Sequence, residues 1–217
     1  MRLRNIPGAD AAVTACPYVY DTPTDWRGRW NSAFTEQTAR PIHIEVGMGK
    51  GQFLFGQAAA HPDINYIGIE RYTSVLLRAI QKINPHQPPE NIRFLCMDAA
   101  DLPDVFAPRE VSRIYLNFSD PWPKDRHARR RLTSSAFLHR YDQILTPDGS
   151  IEFKTDNREL FDFSLEEIRA SADWQVSACT YDLHHTPDLC EGNILTEYEE
   201  KFSSLGHPIC KLIAVRK

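Results

Sequence analysis

Pro41-Ile-His-Ile-Glu-Val-Gly-Met-Gly-Lys-Gly-Gln-Phe-Leu-Phe55 reads as a strand, a glycine loop and a helix. Ile42, Ile44 and Val46 make the strand, and Gly47, Gly49 and Gly51 make the loop. The helix runs from about Gln52 to Ala60 and stops before Pro62. Glycines at such a turn allow a tight backbone and let a ligand come close to it. G-x-G-x-G alone says little; its surroundings give it meaning. Asn65-Tyr-Ile-Gly-Ile-Glu70 is the next strand, with Glu70 at its carboxyl end, where an acidic side chain suits the two hydroxyls of a ribose. A dinucleotide favours G-x-G-x-x-G and a helix N-terminus aimed at its pyrophosphate. Here the spacing is tighter, and Glu45 ends the first strand facing the same crevice. A carboxylate there repels a pyrophosphate and suits the cationic amino-acid and sulfonium end of S-adenosylmethionine.

Outward from this unit the alternation continues. Tyr72 to Asn84 is a helix with Val75, Leu76, Ala79, Ile80 and Ile83 as its apolar stripe, ending before Pro85. Ile92 to Cys96 is the third strand, and Asp98 follows it as a helix cap or a ligand group. Val111 to Leu116 is the fourth strand. Ser134 to Leu145 is a helix, Thr146-Pro-Asp-Gly149 a turn, and Ser150 to Lys154 the fifth strand, with Thr155-Asp156 at its end. A helix over Arg158 to Ala172 comes next. Trp174 to Tyr181 and Pro208 to Val215 are the last strands. That order predicts an α/β doubly wound sheet. Glu45, Glu70, Asp98 and Asp120 each close a predicted strand at the edge where open α/β sheets bind ligands. Four in register make a site.

The fourth strand runs directly into Asn117-Phe-Ser-Asp-Pro-Trp-Pro-Lys-Asp-Arg-His-Ala-Arg-Arg-Arg131. Asp120 sits between Ser119 and Pro121, and the prolines on either side of Trp122 stiffen the turn. Lys124 to Arg131 holds five Lys or Arg and one Asp, a local +4 in a chain of formal net charge -4. Lys124, Arg126, Arg129, Arg130 and Arg131 suit an anionic polymer. Trp122 either stacks on a base or packs beneath the loop.

This run resembles the signature of bacterial tRNA (guanine-N7-)-methyltransferases, and the likeness extends over nearly the whole chain with no departure at any motif position. It implies a class I S-adenosylmethionine-dependent, Rossmann-like methyltransferase fold with an antiparallel C-terminal strand. The implied product is 7-methylguanosine in the variable loop of tRNA, at position 46. It also implies a cytoplasmic enzyme, a cofactor set of Glu45, Gly47, Gly49, Glu70, Asp98 (at the adenine), Ala99 and Asp120, and Asp120 as the catalytic residue. Asp156 and Thr196-Glu197-Tyr198-Glu199 fall to the RNA substrate by the same likeness. Read without it, the last four are a capping pattern, and Asp156 caps the helix that follows.

Guanine N7 carries a lone pair and no proton, so it attacks a sulfonium methyl without a base. The protein must supply orientation and a compatible field. Asp120 can do both by accepting the N–H groups on the far edge of the guanine. Two alternatives compete: methylation of an exocyclic amine on a nucleobase, and a catalytically silent RNA-binding module on the same scaffold.

Bulk properties set the frame. At 217 residues, 42% hydrophobic and 25% charged, the chain suits one globular domain. We expect a methyltransferase domain over 41–217 and an N-terminal extension over 1–40 packed on it. In that extension Trp26, Trp30 and Phe34 suit one face of a short helix, and Arg2, Arg4, Arg27 and Arg29 are candidate phosphate contacts. A pI near 6.1 means that any nucleic-acid role rests on charge placement. Five scattered cysteines without a C-x-x-C pair predict reduced, mostly buried thiols. His184 and His185, adjacent on an extended segment, point apart and make poor joint metal ligands. No membrane span and no metal are expected, and the sequence does not choose between monomer and homodimer.

Overall fold

The computed structural model describes residues 6–34 and 39–217, so Arg2 and Arg4 lie outside the described residues. Seven strands, β1 (Ile42–Val46), β2 (Asn65–Glu70), β3 (Ile92–Cys96), β4 (Val111–Asn117), β5 (Leu145–Thr155), β6 (Trp174–Thr180) and β7 (Cys210–Arg216), form one sheet in the order 3-2-1-4-5-7-6. Strands β1 to β5 pair in parallel, and β7 runs antiparallel between β5 and β6. Eight helices accompany the sheet among the described residues: α1 (Ala9–Thr14), α2 (Gln52–Ala60), α3 (Thr73–Ile80), α4 (Leu102–Val105), α5 (Ser135–Ile144), α6 (Arg158–Ala170), α7 (Pro187–Cys190) and α8 (Glu197–Ser203).

Period-two alternation sorts the strand residues between two apolar layers. Tyr66 of β2 packs with Phe53, Leu54 and Leu76 from α2 and α3, while Ile67 and Ile69 join Phe137, Leu138, Leu160 and Leu165 from α5 and α6. Every residue of β1 and β2 is buried. Burying each such Ile or Leu contributes about 1.5–3 kcal/mol. Gly68 lets the layers close: a Cβ there would meet Met48 Sδ at 2.2 Å and Leu54 Cδ2 at 2.7 Å.

Several expectations shift. Helix α3 ends at Ile80, not Asn84, and tight turns with Lys82 and Ile83 N–H on the carbonyls of Ala79 and Ile80 lead to Pro85. A proline disfavours helical geometry in the residue before it. Thr146 to Gly149 falls within the span of β5, yet Leu145 pairs with Val111 and Ser150 with Arg113, so the turn bulges from the strand. The expected helix of Trp26, Trp30 and Phe34 is instead two 3₁₀ turns, Pro23–Trp26 and Trp30–Ala33, parted by Gly28 at φ 80°.

Trp30 is buried nonetheless, with its indole N–H on Val105 O at 2.9 Å. The N–H groups of Gly28 and Trp30 bind the Glu110 carboxylate just before β4, and Arg27 Nε donates to Pro103 O. Arg29 Nε donates to Asp25 O. Glu110 lies at the amino end of a parallel strand, opposite the carboxyl edge that carries the acidic residues. Arg27 and Arg29 therefore do not join a phosphate grip at that edge. Upstream, Tyr18 O and the Tyr20 N–H bond to Phe94, which covers the β3 edge of the sheet. All five cysteines are free, but only Cys210 is buried, so the expectation of mostly buried thiols fails. Among the described residues no helix is long and apolar enough to cross a membrane.

Candidate active site

The strand order reverses between β1 and β4, which opens a crevice at their carboxyl ends. Glu45 and Asn117 meet there. Glu45 is 1% exposed, and its Oε1 accepts from Asn117 Nδ2 at 2.8 Å. Its Oε2 is buried without a partner among the described residues. Burial pushes the Glu45 pKa up to about 8, against the pull of the Asn117 hydrogen bond and of the Lys154 charge. An orphaned buried carboxylate oxygen is costly until a donor, best a cationic one, reaches it. That fits the ammonium end of an amino acid and not a pyrophosphate.

Glu70 ends β2 and fastens the glycine loop. Its Oε2 accepts from the Gly49 N–H at 3.1 Å and its Oε1 from the Tyr72 N–H at 3.0 Å. Gly49 presents that N–H from φ 58°, a left-handed backbone that favours glycine. Burial raises the Glu70 pKa, and its backbone donors pull it back. Each oxygen keeps a lone pair for a hydroxyl donor. Gly47 stands exposed at the mouth. Asp98, two residues beyond β3, forms the expected cap, its Oδ1 accepting from the Ala100 N–H at 2.9 Å at the turn Ala99–Asp101, and its Oδ2 lies 3.3 Å from Arg71. Ala99 is half-buried beside it.

Asp120 stands three residues past β4, exposed, and near enough for its charge to help raise the Glu70 pKa. Its loop is bounded by two non-glycine residues in left-handed geometry, Phe118 at φ 52° and Trp122 at φ 43°. Such strain persists where surrounding contacts over-determine it. The Phe118 N–H donates to Lys154 O at 2.9 Å, and the Arg131 guanidinium donates to Pro121 O at 3.0 Å and Trp122 O at 3.2 Å.

The basic row thus splits. Lys124, Arg126, Arg129 and Arg130 are exposed on or beside the 3₁₀ segment Asp125–Arg130. Arg131 turns inward to hold the loop, its guanidinium 4.3 Å from the Phe163 ring centroid. Trp122 is half-buried, edge-to-face with His127 and covered by Arg130 at 5.0 Å.

On the β5 side, Asn157 caps α6 by accepting from the Leu160 N–H at 2.8 Å. Asp156, spared that duty, accepts from the Tyr198 hydroxyl at 3.0 Å. Thr196 Oγ1 caps α8 by accepting from the Glu199 N–H at 2.9 Å, so the capping pattern read from sequence forms. Tyr198 is 40% exposed and packs on Phe118 and Phe202, with centroids 4.9 and 4.1 Å away. Glu197 pairs with Lys82. Glu199 is fully buried, accepting from Lys154 Nζ at 2.5 Å and Asn193 Nδ2 at 2.8 Å. Of the four motif residues, Tyr198 presents the most exposed surface at the site, whereas Thr196 and Glu199 work inside. His184 and His185 lie on a 3₁₀ turn, not an extended segment, and they part: His184 reaches Glu199 and His185 reaches Asp182.

Residues 39–212 match the family described as "Putative methyltransferase". The tRNA (guanine-N(7)-)-methyltransferase of Lachnoclostridium phytofermentans is 57% identical over 217 residues, covering 100% of this chain and 99% of its own. That of Bacillus subtilis is 50% identical over 210 residues, 96% of each chain. The chain belongs to the tRNA (guanine-N(7)-)-methyltransferase family. Among solved structures, an antibiotic-related methyltransferase superposes with a TM-score of 0.60 at 16% identity, over 83% of this chain and 88% of its own. The shared fold is the class I S-adenosylmethionine-dependent methyltransferase fold, antiparallel last strand included.

Asn117 and Phe118 belong to the signature run and Lys154 to the fifth strand, but none of the three carries a role of its own in the sequence reading. Asn117 and Lys154 lie at the carboxyl ends of adjacent strands and pair with each other in register. An amide and an ammonium at the ends of β4 and β5, the next two strands from Glu45, were a legible sign that the crevice is lined by polar partners.

Proposed function

We propose that this chain transfers a methyl group from S-adenosylmethionine to N7 of a guanosine in tRNA, at position 46 of the variable loop, forming 7-methylguanosine. The observation that carries the reading is one juxtaposition. Across the β1–β4 crevice lies a buried carboxylate with an orphaned oxygen, Glu45; beyond it stands an exposed carboxylate, Asp120, at the head of a basic turn.

When bound, S-adenosylmethionine supplies an electrophilic methyl on a sulfonium. Glu45 takes the ammonium of its amino-acid end. Gly47 and Gly49 let the ligand approach the backbone, Glu70 accepts from the ribose hydroxyls, and Asp98 and Ala99 border the adenine. Asp120 accepts from the N–H groups of the guanine's far edge, which turns N7 towards the methyl. Its charge also stabilises the cation that forms on the ring. No proton leaves N7, so Asp120 orients and stabilises without acting as a base. Lys124, Arg126, Arg129 and Arg130 hold phosphates. Asp156 and Tyr198 border the path of the base, with Thr196, Glu197 and Glu199 behind them. Residues 1–40 serve as an extension of the domain at 41–217, and the enzyme works in the cytoplasm as a monomer or homodimer.

The experiment is mass spectrometry of nucleosides from unmodified tRNA incubated with the protein and S-adenosylmethionine. We expect 7-methylguanosine with the wild type and none with Asp120→Ala. A methylated exocyclic amine, or tRNA bound without methylation, overturns the reading.

A further inference from the structure

Lys154 has no part in the roles above, yet two substrate-side segments meet on it. It is the penultimate residue of β5 and 3% exposed. Its carbonyl accepts from the N–H of Phe118, which opens the loop carrying Asp120. Its ammonium has three acceptors: Asn193 Oδ1 at 3.0 Å, Ile194 O at 3.0 Å and Glu199 Oε2 at 2.5 Å. An ammonium has three protons, so this one is saturated. All three acceptors belong to one stretch, 193–199, which enters α8. Asn193 Nδ2 closes the ring on the other Glu199 oxygen at 2.8 Å. Two residues along from Lys154, Asp156 takes the hydroxyl of Tyr198, the residue next to Glu199.

A merely stabilising contact needs no such convergence, since apolar side chains of similar size commonly replace buried ion pairs without loss. What apolar packing lacks is direction. Three hydrogen bonds from one atom fix the segment along its length and in rotation. The segment needs this. Between α7 and α8 it is irregular chain with Gly192 at φ 68°. Ile194 gives it one apolar contact, against α2 beside Gly56, while the rest lies over a stretch of sheet carrying the polar side chains of Tyr115, Asn117, Glu152 and Lys211.

We propose that Lys154 is a positioning residue for the tRNA substrate. Acting through Glu199, it locks the first turn of α8 so that Tyr198 stands against Phe118 with its hydroxyl on Asp156, one wall of the path by which the guanine reaches Asp120. Glu199 then serves the substrate from inside the protein and never touches it. This inference rests on the function proposed above.

The test uses Lys154→Met, which keeps the stem, Glu199→Gln, which keeps the shape, and the double variant. Three quantities are read in the full-length protein: affinity for S-adenosylhomocysteine by calorimetry, KM and kcat for tRNA, and amide hydrogen exchange over 193–203. Each single variant should lose kcat/KM for tRNA by about ten- to a hundredfold, mostly through KM, and lose protection in 193–203. Glu199→Gln should hold its cofactor affinity within about twofold, while Lys154→Met, which also removes a charge acting on Glu45, should lose less cofactor affinity than kcat/KM. The double variant should be no worse than Lys154→Met alone, because both act through one contact. Unchanged KM and unchanged protection overturn the proposal. So does a cofactor affinity that falls in step with kcat/KM, since that reports a general loss of structure. If Lys154→Met does not fold, Glu199→Gln decides by the same two criteria. If the wild type methylates no tRNA, the functional reading fails, while exchange over 193–203 still reports whether the clamp exists.

Discussion

The edge of the sheet that we propose takes the cofactor, β1 to β3, and the edge that we propose takes the substrate, β4 and β5, carry their carboxylates in opposite ways. Glu45 and Glu70 are 1% and 8% exposed, built into strands and held by Asn117 and by backbone N–H groups. Asp120 is exposed on a loop whose ends are left-handed, and its neighbours are basic and solvated. A small ligand that can be surrounded is met by fixed acidic groups in a dry place, where each interaction is strong. A polymer must be met at the surface, where many weak charge contacts add up and salt weakens them. The two edges should therefore fail differently.

Asp120→Asn keeps the loop and removes the charge. It should lower kcat by about 10²–10³-fold with tRNA affinity little changed. Single-turnover rates at saturating tRNA check this, and an unaltered rate would remove Asp120 from the chemistry.

Glu45→Gln tests the buried edge. The Glu45 pKa of about 8 lies above its ordinary 4.5, so the free protein holds a proton that its unfolded chain releases between those values. Stability supplied by that proton is full below about 4.5 and is lost as pH rises through about 8. An ammonium ligand lowers the pKa and expels the proton, so cofactor affinity should strengthen as pH rises towards 8. Calorimetry in buffers of different ionisation enthalpy should detect this release in the wild type and not in Glu45→Gln. The variant should also bind the cofactor about tenfold more weakly. It should lose the fall in thermal stability on the way to pH 8, and equal slopes for both proteins would show that Glu45 is ionised when free.

Gly68→Ala probes how tightly the cofactor edge is packed. The added methyl meets Met48 and Leu54 and should cost about 1–3 kcal/mol, read as a lower Tm. No change would mean that α2 yields more readily than its contacts indicate.

The smallest effects belong to the exposed edge. Arg129→Ala and Arg130→Ala should each reduce the slope of log affinity for tRNA against log salt by about 0.7–0.9. Arg131→Ala should instead lower kcat while leaving that slope alone, because its guanidinium holds the carbonyls of Pro121 and Trp122. Equal slopes for all three variants would erase the distinction between them.

Much of the fold was legible because its signals are local. Alternating apolar residues mark β1 and β2, glycines mark the turn between β1 and α2, and acidic residues end successive strands. The Thr196 cap was legible for the same reason, since donor and acceptor lie three residues apart. The helix expected over Trp26 to Phe34 was not, because spacing alone does not reveal that Gly28 breaks it or that Glu110, 80 or more residues away, collects its N–H groups.

The sequence by itself determined which residues stand at the carboxyl ends of the strands, that a +4 turn follows the fourth strand, and hence the class of ligand each edge suits. Only the tertiary structure decided which of those side chains face in. Glu45 meets Asn117 across 72 residues and Glu199 meets Lys154 across 45. Burial of a charge, its orphaned or satisfied oxygens and its pKa are set by what other elements bring beside it. A strand's own pattern reports the direction of a side chain, but not the partner waiting there.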